Sequence, residues 1–406
     1  MKILVINAGS SSIKYQLFDM QTEQALAAGL VERINEPNSR IKHRLLDGHH
    51  AGETVLDMPI ENHHQGLSQV ARLLMDDTVG VIRQPDEIDA VGHRAVHGGE
   101  TFNQTSVIDE AVKKKMRALI PLAPLHNPAN ITGIEVAEQI FPKAVQVAVF
   151  DTAFHQTMPP AAYRYALPDE LYQHHGIRAY GFHGTSHLYV SKVAADYLGQ
   201  PANKTNLITA HLGNGCSICA VQGGQSVDTS MGLTPLAGLI MGTRSGDIDP
   251  GVLLFLQRKL NLSVDEADRL LNKKSGLQGI CGLNDVRDIQ NQQAEGNQSA
   301  ELALEMYGYR IKKYIGAYMA VLGHVDGLIF TAGVGENSAY IRNLACRGLA
   351  PLGIELDRAK NETHNTGIRE IQTESSRVKI LVIPTNEELE IARQTWSTIR
   401  GGHYYE

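Results

Sequence analysis

A strand–turn–strand unit occurs twice in the chain, and it constrains the fold more than any other feature. The first copy comprises an apolar segment at 2–7, a polar turn at 8–12 and an alternating segment at 13–18. The second comprises 206–212, the glycine turn 213–215 and 216–221, with a further strand-like segment ending at 228–230. This repetition predicts a chain that is internally duplicated.

Helical periodicity fills the segments between the strands, which predicts an α/β protein. The length of 406 residues favours two domains. The strand at 145–150 offers a natural hinge, and the stripe of Leu389, Ala392, Trp396 and Ile399 could pack back on the first half. We therefore expect a first lobe of 1–150 plus 385–406 and a second lobe of 151–384. The predicted helices lie at about 66–76, 109–119, 130–140, 184–198, 251–260, 263–272, 300–322 and 386–399.

Composition excludes several classes of protein. Hydrophobic residues at 43% and charged residues at 20% are typical of a globular chain with a sizeable core. The 37 Lys and Arg against 44 Asp and Glu give a net charge of −7, so no global positive field attracts nucleic acid or an anionic membrane. No apolar run approaches the roughly 18 residues of a membrane span, and no signal peptide is present. The expected location is the cytoplasm.

Four cysteines are too few for a disulfide framework. Cys216 and Cys219 form a CxxC pattern, but they lie in a predicted strand, where residues three apart point to opposite faces. We expect packed thiols and not a metal or redox pair.

The turns carry groups that suit phosphate. Backbone N–H groups, three serine hydroxyls and Lys14 surround the first turn, and a third glycine segment follows the apolar run 327–330. The chain has no GxxxxGK[ST] loop, and its GxG pairs lack the third glycine of a dinucleotide fingerprint. Two phosphate-facing hairpins and a third glycine loop suit an ATP held between two related domains.

Nine segments, in order over nearly the whole chain, follow a pattern shared with a known family. They are NAGSSSIK at 7–14, GHRAVHGGE at 92–100, APLHNP at 123–128, VFDTAFHQT at 149–157, YGFHGTSH at 180–187, DTSMG at 228–232, MGTRSGDID at 241–249, FTAGVGEN at 330–337 and PTNEE at 384–388. Together they resemble the acetate kinase (acetokinase) family. The resemblance implies the duplicated α/β fold shared by acetate kinases, sugar kinases, actin and Hsp70 ATPase domains (ribonuclease H-like), commonly as a homodimer.

The reaction that the resemblance implies is the reversible transfer of the ATP γ-phosphate to acetate. A carboxylate is already an anion, so the nucleophile needs no general base. The difficulty is electrostatic, because two anions must meet and a loose transition state must be held in line. Arginine forks suit both the carboxylate and the transferred phosphoryl group. The family pattern makes Arg94 the carboxylate ligand and gives transition-state stabilisation to Arg244 and His183.

The resemblance also assigns the remaining site residues. Asp151 takes a catalytic carboxylate role, in which it orders a metal-bound water or orients the reacting groups. Asn7 and Glu387 are the residues expected to bind Mg²⁺, with Mn²⁺ as an alternative. Thr385 and Glu388 have the spacing of a capping box, which leaves Glu387 as the free acid. The nucleotide contacts are Ser12, Lys14, His211, Leu212, Gly213, Asn214, Gly215, Asp285, Val286, Arg287, Gly333, Val334, Gly335, Glu336 and Asn337.

A small apolar acyl pocket follows from the same resemblance, lined by Val96, Leu125, Phe182 and Pro235, with His126 as a secondary substrate contact. One methylene separates acetate from propionate, and pockets discriminate on that scale by only about 1–3 kcal/mol. Propionate-directed relatives tend to carry Ala at the Val96 position, so we expect acetate to be preferred and propionate to react more slowly.

Two departures and two other interpretations stay open. Ala179 and Ala237 stand where the family usually has a basic and an acidic residue, which puts local loop packing in doubt. The protein could instead be a kinase for another substrate on the same fold, such as propionate, butyrate or a sugar. It could also be a non-enzymatic ATP-gated module.

Overall fold

The computed structural model describes residues 1–46, 52–124 and 126–402. Internal contacts divide the chain into two units, Met1–Ala153 with Asn386–Glu406, and Phe154–Thr385. Asp151 falls in the first unit, where its N–H donates to the carbonyl of Ala95 over 2.9 Å. The expected lobe boundaries at 150/151 and 384/385 stay a prediction. Residues 403–406 lie outside the described part.

The described residues form fourteen strands. They are β1 Lys2–Ala8, β2 Ser12–Asp19, β3 Gln24–Glu32, β4 Arg40–Leu45, β5 Gly52–Asp57, β6 Ala90–Ala95, β7 Ser106–Val107, β8 Val145–Phe150, β9 Asn206–Leu212, β10 Cys216–Gln222, β11 Gln225–Thr229, β12 Gly327–Thr331, β13 Arg369–Glu370 and β14 Lys379–Val382.

Fifteen α-helices occur in the same ranges. They are α1 His63–Leu74, α2 Glu110–Ala118, α3 Asn127–Ile140, α4 Pro160–Tyr163, α5 Asp169–His175, α6 Gly184–Tyr197, α7 Pro250–Leu260, α8 Val264–Lys273, α9 Gly276–Cys281, α10 Val286–Ala294, α11 Gln298–Leu322, α12 Ala332–Asn337, α13 Ala339–Cys346, α14 Arg358–Glu362 and α15 Glu387–Ile399.

All eight predicted helices are confirmed to within three residues, as α1, α2, α3, α6, α7, α8, α11 and α15. The Ser263–Glu266 capping box is present at the start of α8. The sequence analysis missed the short helices α4, α5, α9, α10, α12, α13 and α14, which offer fewer turns over which a period of 3.6 can be recognised. No helix in the described ranges is long and apolar enough to cross a membrane.

The sheet of the first unit has the order β5-β4-β3-β2-β1-β6-β8-β7. β3, β2 and β1 are antiparallel neighbours, whereas β1, β6 and β8 are parallel. One face packs against α1 and α3 around Leu67, Val70 and Ala137. The other face receives α15, whose Ile391 and Ala392 join Ile3, Val5 and Val149 in one cluster, with Leu389, Trp396 and Ile399 at its border. The apolar stripe of the last helix therefore packs as predicted.

The sheet of the second unit has the order β11-β10-β9-β12-β14-β13. β11, β10 and β9 are antiparallel, β9, β12 and β14 are parallel, and β13 is an antiparallel edge strand. The first unit has the same sequence of pairings in β3-β2-β1-β6-β8-β7. The predicted internal duplication is thus confirmed at the level of topology. The long helix α11 belongs to this unit and buries Leu304, Tyr307, Ile311, Ile315 and Tyr318.

Candidate active site

Three neighbouring strands of the first unit bring Asn7, Arg94 and Asp151 together. Asn7 and Arg94 lie near the ends of the parallel strands β1 and β6, and Asp151 directly follows β8. Arg94 Nε lies 3.1 Å from Asp151 Oδ1, Nη2 lies 2.5 Å from Oδ2, and Nη1 lies 3.4 Å from Asn7 Oδ1. Open α/β sheets bind ligands beyond the carboxyl ends of their strands, and these side chains lie there.

The Arg94 guanidinium keeps donors for a further anion. It has five N–H groups, of which Asp151 uses two and Asn7 one. Asp151 is almost completely buried and therefore holds the guanidinium in one orientation. Beyond the hydrogen bonds of the described residues, one N–H group remains on each Nη, and paired guanidinium N–H groups suit a carboxylate.

The start of α15 corrects one expectation. Its N-cap is Asn386, whose Oδ1 accepts from Leu389 N over 3.0 Å, so the predicted Thr385–Glu388 capping box was wrong. Asn caps helices at least as well as Thr, and it begins the helix one residue later. Glu388 instead forms an ion pair with Lys14, which places a carboxylate beside a predicted nucleotide contact.

Negative charge collects around Arg94. Burial alone would lower the pKa of Arg94, but Asp151, Glu387 and Glu388 raise it overall. Burial raises the pKa of Glu387, with Arg94 acting against it. In the described ranges no group of three or more His, Cys, Asp or Glu side chains is placed to hold a metal ion. An amide oxygen from Asn7 and one carboxylate from Glu387 fit Mg²⁺ only as a partial set, which phosphate oxygens and water complete.

The turn between β1 and β2 is tight and held by hydrogen bonds. Gly9 N donates to Ser12 O over 2.8 Å, and His63 Nε2 lies 2.6 Å from Gly9 O. The hydroxyl-bearing residues Ser10 and Ser11 are exposed at its tip, and Ser12 begins β2. The predicted strand–turn–strand is therefore confirmed, with polar donors at the tip.

In the second unit, His183 precedes helix α6 in a left-handed backbone conformation, with φ +56°. This conformation is uncommon for a residue other than glycine and clusters at functional sites. The His183 ring stacks on His211, with centroids 4.2 Å apart, and Nδ1 lies 2.9 Å from Ser217 Oγ. His211 Nδ1 lies 2.8 Å from Ser186 Oγ. Two predicted site residues are thus in direct contact.

Arg244 and His183 converge on Gly215, in the turn between β9 and β10. A Cβ atom added to Gly215 would lie 3.5 Å from His183 Nε2 and 3.6 Å from Arg244 Nη1. Arg244 Nη1 also donates to Pro235 O over 2.9 Å. Burial lowers the pKa of Arg244, but a guanidinium stays charged in proteins. An imidazole nitrogen and a guanidinium therefore both lie beside this turn.

A close backbone approach fixes the Arg244 loop. Gly276, with φ +63°, lies so near that a Cβ atom there would be 2.2 Å from Met241 O and 2.5 Å from Arg244 O. Leu277 N donates to Met241 O over 3.0 Å, and Ser275 N to Thr243 O over 3.1 Å. The start of α9 therefore holds Arg244 in position.

The other predicted nucleotide contacts lie in three stretches of the second unit. In the β9–β10 turn, Leu212 has a fully buried side chain, so only its backbone could meet a ligand. Asp285 caps α10 and pairs with Arg287 through Nη2, 2.6 Å away, and hydrogen bonds from Arg287 lower the pKa of Asp285 to about 2. Val286 between them is buried. These contacts explain 285–287 as a helix start, and their binding to nucleotide stays a prediction.

The segment Gly333–Asn337 lies in α12, and buried Arg342 holds its end. Arg342 Nη1 donates to the carbonyls of Gly335 and Glu336 over 2.8 and 3.0 Å, and its other nitrogens donate to Asn361. Burial lowers the pKa of Arg342 to about 10. The sequence analysis missed this residue because a lone arginine in an apolar helix carries no local signal.

The predicted acyl-pocket residues are distributed over both units. Val96 is buried in the first unit, where its N–H donates to Asn130 Oδ1 over 3.0 Å, and His126 caps α3. Phe182 is buried in the second unit and Pro235 is half-buried there. Leu125 lies outside the described residues. Asn130 also donates to Ala8 O over 2.9 Å, so it ties the first turn to Val96, a role that the sequence analysis missed.

Comparisons with known proteins agree with this arrangement. Residues 2–393 match the model of the acetokinase family. An acetate kinase of Nitratidesulfovibrio vulgaris is 54% identical over 402 residues, which cover 99% of this chain and all of the relative. The crystal structure of Porphyromonas gingivalis acetate kinase has a TM-score of 0.93 at 47% identity, covering 98% of this chain and 99% of that one. A propionate kinase from Francisella tularensis has a TM-score of 0.90 at 46% identity, covering 97% and 99%. By sequence and by fold over nearly its whole length, the protein belongs to the acetokinase family.

Proposed function

We propose that this protein is an acetate kinase, which transfers the γ-phosphate of ATP to acetate and yields acetyl phosphate and ADP. Membership of the family makes it an ATP-dependent phosphotransferase. The observation that carries the proposal for this chain is the convergence of His183 Nε2 and Arg244 Nη1 on Gly215. Both groups are donors suited to a phosphoryl group that gains negative charge in the transition state.

In the proposed reaction an acetate oxygen attacks the γ-phosphorus, and the bond from that phosphorus to the β–γ bridging oxygen breaks. ADP leaves with that oxygen, and no proton has to be removed from the nucleophile. Arg94 binds the acetate carboxylate through its two remaining N–H groups, while Asp151 and Asn7 hold its orientation. Arg244 and His183 stabilise the transferred group, and the turn at 213–215 and the segment 333–337 bind the nucleotide.

Asn7 and Glu387 would hold Mg²⁺, with Mn²⁺ as a substitute. Bound to the nucleotide, the ion would neutralise phosphate charge. Glu387 suits this role because it is the first residue of α15 and because Lys14 pairs with Glu388 and not with Glu387. The proposed reaction consumes ATP, and the four cysteines are free thiols, which are typical of a reducing compartment. Both points favour the cytoplasm as the location.

The test is a hydroxylamine trap with Mg-ATP and acetate, propionate or butyrate in parallel reactions. Acyl phosphate reacts with hydroxylamine to a coloured hydroxamate, and we expect most product with acetate. Buried Val96 supports this order because it leaves less room for an additional methylene. A kcat/KM for propionate equal to or above that for acetate would contradict the preference, and no hydroxamate with any acid would contradict the function.

We also propose that the protein forms a homodimer through helix α7. None of the residues of this helix is buried, although Val252, Leu254, Phe255 and Leu260 are apolar, and Phe255 is 63% exposed. A second copy of the chain would cover this face. Sedimentation should show a dimer for the wild type and a monomer for Phe255→Glu. A monomeric wild type would refute the assignment.

A further inference from the structure

A chain of hydrogen bonds leads from His183 into the interior of the second unit. Ser217 Oγ lies 2.9 Å from His183 Nδ1 and 2.8 Å from His187 Nε2. Thr209 Oγ1 lies 2.7 Å from His187 Nδ1. Ser217, His187 and Thr209 are all completely buried. The proposed reaction assigns no role to these three side chains, although they form a continuous chain of hydrogen bonds to His183.

If the hydroxyl proton of Ser217 is shared within this chain, the protons can be arranged in two directions. A third arrangement, in which Ser217 Oγ accepts from both rings, would leave the buried Ser217 O–H without an acceptor among the described residues. Burial holds the pKa of His187 well below its ordinary value, so its ring is neutral and has one N–H. In the first direction Thr209 donates to His187 Nδ1, His187 Nε2 donates to Ser217, and Ser217 donates to His183 Nδ1. In the second direction every bond is reversed, and the hydroxyl proton of Thr209 needs another acceptor.

Thr209 decides between the two directions. Across the described ranges, the hydrogen bond to His187 is the only one that its hydroxyl makes. The second direction would therefore leave a buried O–H without an acceptor, which costs free energy, whereas the first gives the side-chain O–H or N–H of Thr209, His187 and Ser217 an acceptor each. In the first direction His183 Nδ1 accepts a hydrogen bond, so the ring proton resides on Nε2.

We propose that Thr209, His187 and Ser217 are positioning residues that keep His183 as a neutral imidazole with its proton on Nε2. That nitrogen lies on the side of the ring near Gly215 and Arg244. The inference rests on the proposed function, in which His183 donates to the transferred phosphoryl group, and it explains how the donor is prepared before substrate binds.

The test is nitrogen NMR of the full chain with ¹⁵N-labelled histidine, with the His183 signals assigned by their loss in His183→Gln. We expect an unprotonated Nδ1 and a protonated Nε2 between pH 7 and 8. Thr209→Val keeps the side-chain shape but removes the proton that sets the direction. Its His183 signals should move toward a mixture of tautomers, with kcat lowered about 10-fold and KM values little changed. Thr209→Ser should restore the wild-type signals.

Thr205→Val is the matched control, because Thr205 is also buried and donates to Ala202 O over 2.9 Å, away from any histidine. Its His183 signals should equal those of the wild type. A wild-type His183 protonated on Nδ1 would overturn the proposal, and so would unchanged signals in folded Thr209→Val. Should that variant unfold, Ser217→Ala must shift the Nδ1 signal, since it removes the donor. The signals do not depend on turnover, so an enzyme without kinase activity would overturn the proposed function and leave this assignment standing.

Discussion

The buried side chain of Asp151 orients the guanidinium of Arg94. Asp151 is 1% exposed and binds Arg94 through two hydrogen bonds, so the guanidinium is oriented without a ligand. The Asp151 carboxylate can therefore serve the proposed reaction without accepting or donating a proton. Its duty in the proposed reaction is to fix the direction of the remaining Arg94 donors.

Asp151→Asn should therefore lower both stability and activity. The change removes one charge of a buried pair, which typically costs about 3–5 kcal/mol when the other charge stays behind. We expect KM for acetate to rise, because Arg94 loses its fixed orientation. Urea unfolding and initial rates measure the two effects. Asp169→Asn, at an exposed ion pair with Arg164, serves as the control and should change neither quantity appreciably.

Arg244 should matter for turnover more than for binding. Its Nη1 lies beside Gly215 and His183, where transition-state charge is proposed to develop. Arg244→Ala should lower kcat about 10²- to 10³-fold, as for the loss of one oxyanion donor, with little change in the Kd of ATP. The exposed Arg347, paired with Glu305, gives the control Arg347→Ala. An unchanged kcat would remove Arg244 from the mechanism.

At the scale of elements, the start of α9 determines the position of the Arg244 loop. Gly276→Ala introduces a methyl group within 2.5 Å of the carbonyl oxygens of Met241 and Arg244, so the loop must shift. We expect kcat to fall at least 10-fold, because small displacements of a catalytic group are costly. Steady-state kinetics on the folded variant measure this.

Gly282→Ala separates the shift of the loop from backbone strain. Gly282 also has a positive φ, +80°, but nothing lies within 4 Å of an added Cβ atom. This variant should lose about 1–2 kcal/mol of stability and keep its kcat. Equal losses of kcat in the two variants would show that strain, and not the displaced loop, is responsible.

The elements also show what could be predicted from sequence. Apolar periodicity placed α6 and α11 because each has several turns with a buried face. The strand–turn–strand repeat placed β1, β2, β9 and β10 because alternation and turn residues are local signals. The pairing of β1 with β6 and of β9 with β12 could not be predicted from the sequence, because each pairing joins residues more than 80 positions apart.

In the candidate site, too, residues in local sequence motifs could be predicted, and residues defined by distant contacts could not. Arg94, His183 and Arg244 stand in motifs that resemble a family, so they could be named from sequence. Ser217, Thr209 and Arg342 could not, because each forms a hydrogen bond with a residue 19 or more positions away. The capping expectation at Thr385 failed for a local reason: the neighbouring Asn386 takes the same role and shifts the helix start by one residue.

At the scale of the whole molecule, buried histidines make stability depend on pH. Burial lowers the pKa of His93 and of His155 to about 4, and the two residues lie in different units. The unfolded chain binds these protons below about pH 6.5, whereas the folded chain does not. The contribution to stability is therefore complete above pH 6.5 and is lost as the pH falls toward 4, at up to about 1.4 kcal/mol per pH unit for each histidine.

Urea unfolding at pH 7, 6 and 5 checks this expectation. The free energy of unfolding should decrease with each step, and His93→Gln should show a shallower decrease because one of the titrating groups is gone. His324→Gln is the control, because His324 is exposed. Identical slopes for the wild type and His93→Gln would show that His93 titrates normally in the folded protein.

The first unit is assembled from two distant parts of the chain, and this has a consequence for biosynthesis. Ile3, Val5 and Val149 are covered by Ile391 and Ala392 of α15, whereas the second unit is a continuous segment that ends at Thr385. On the ribosome, the later-made unit can complete its core while the earlier-made sheet still lacks a cover on one face. The amino-terminal half thus waits for the end of translation, and a ribosome that stalls before α15 would release a nascent chain with an exposed, aggregation-prone sheet.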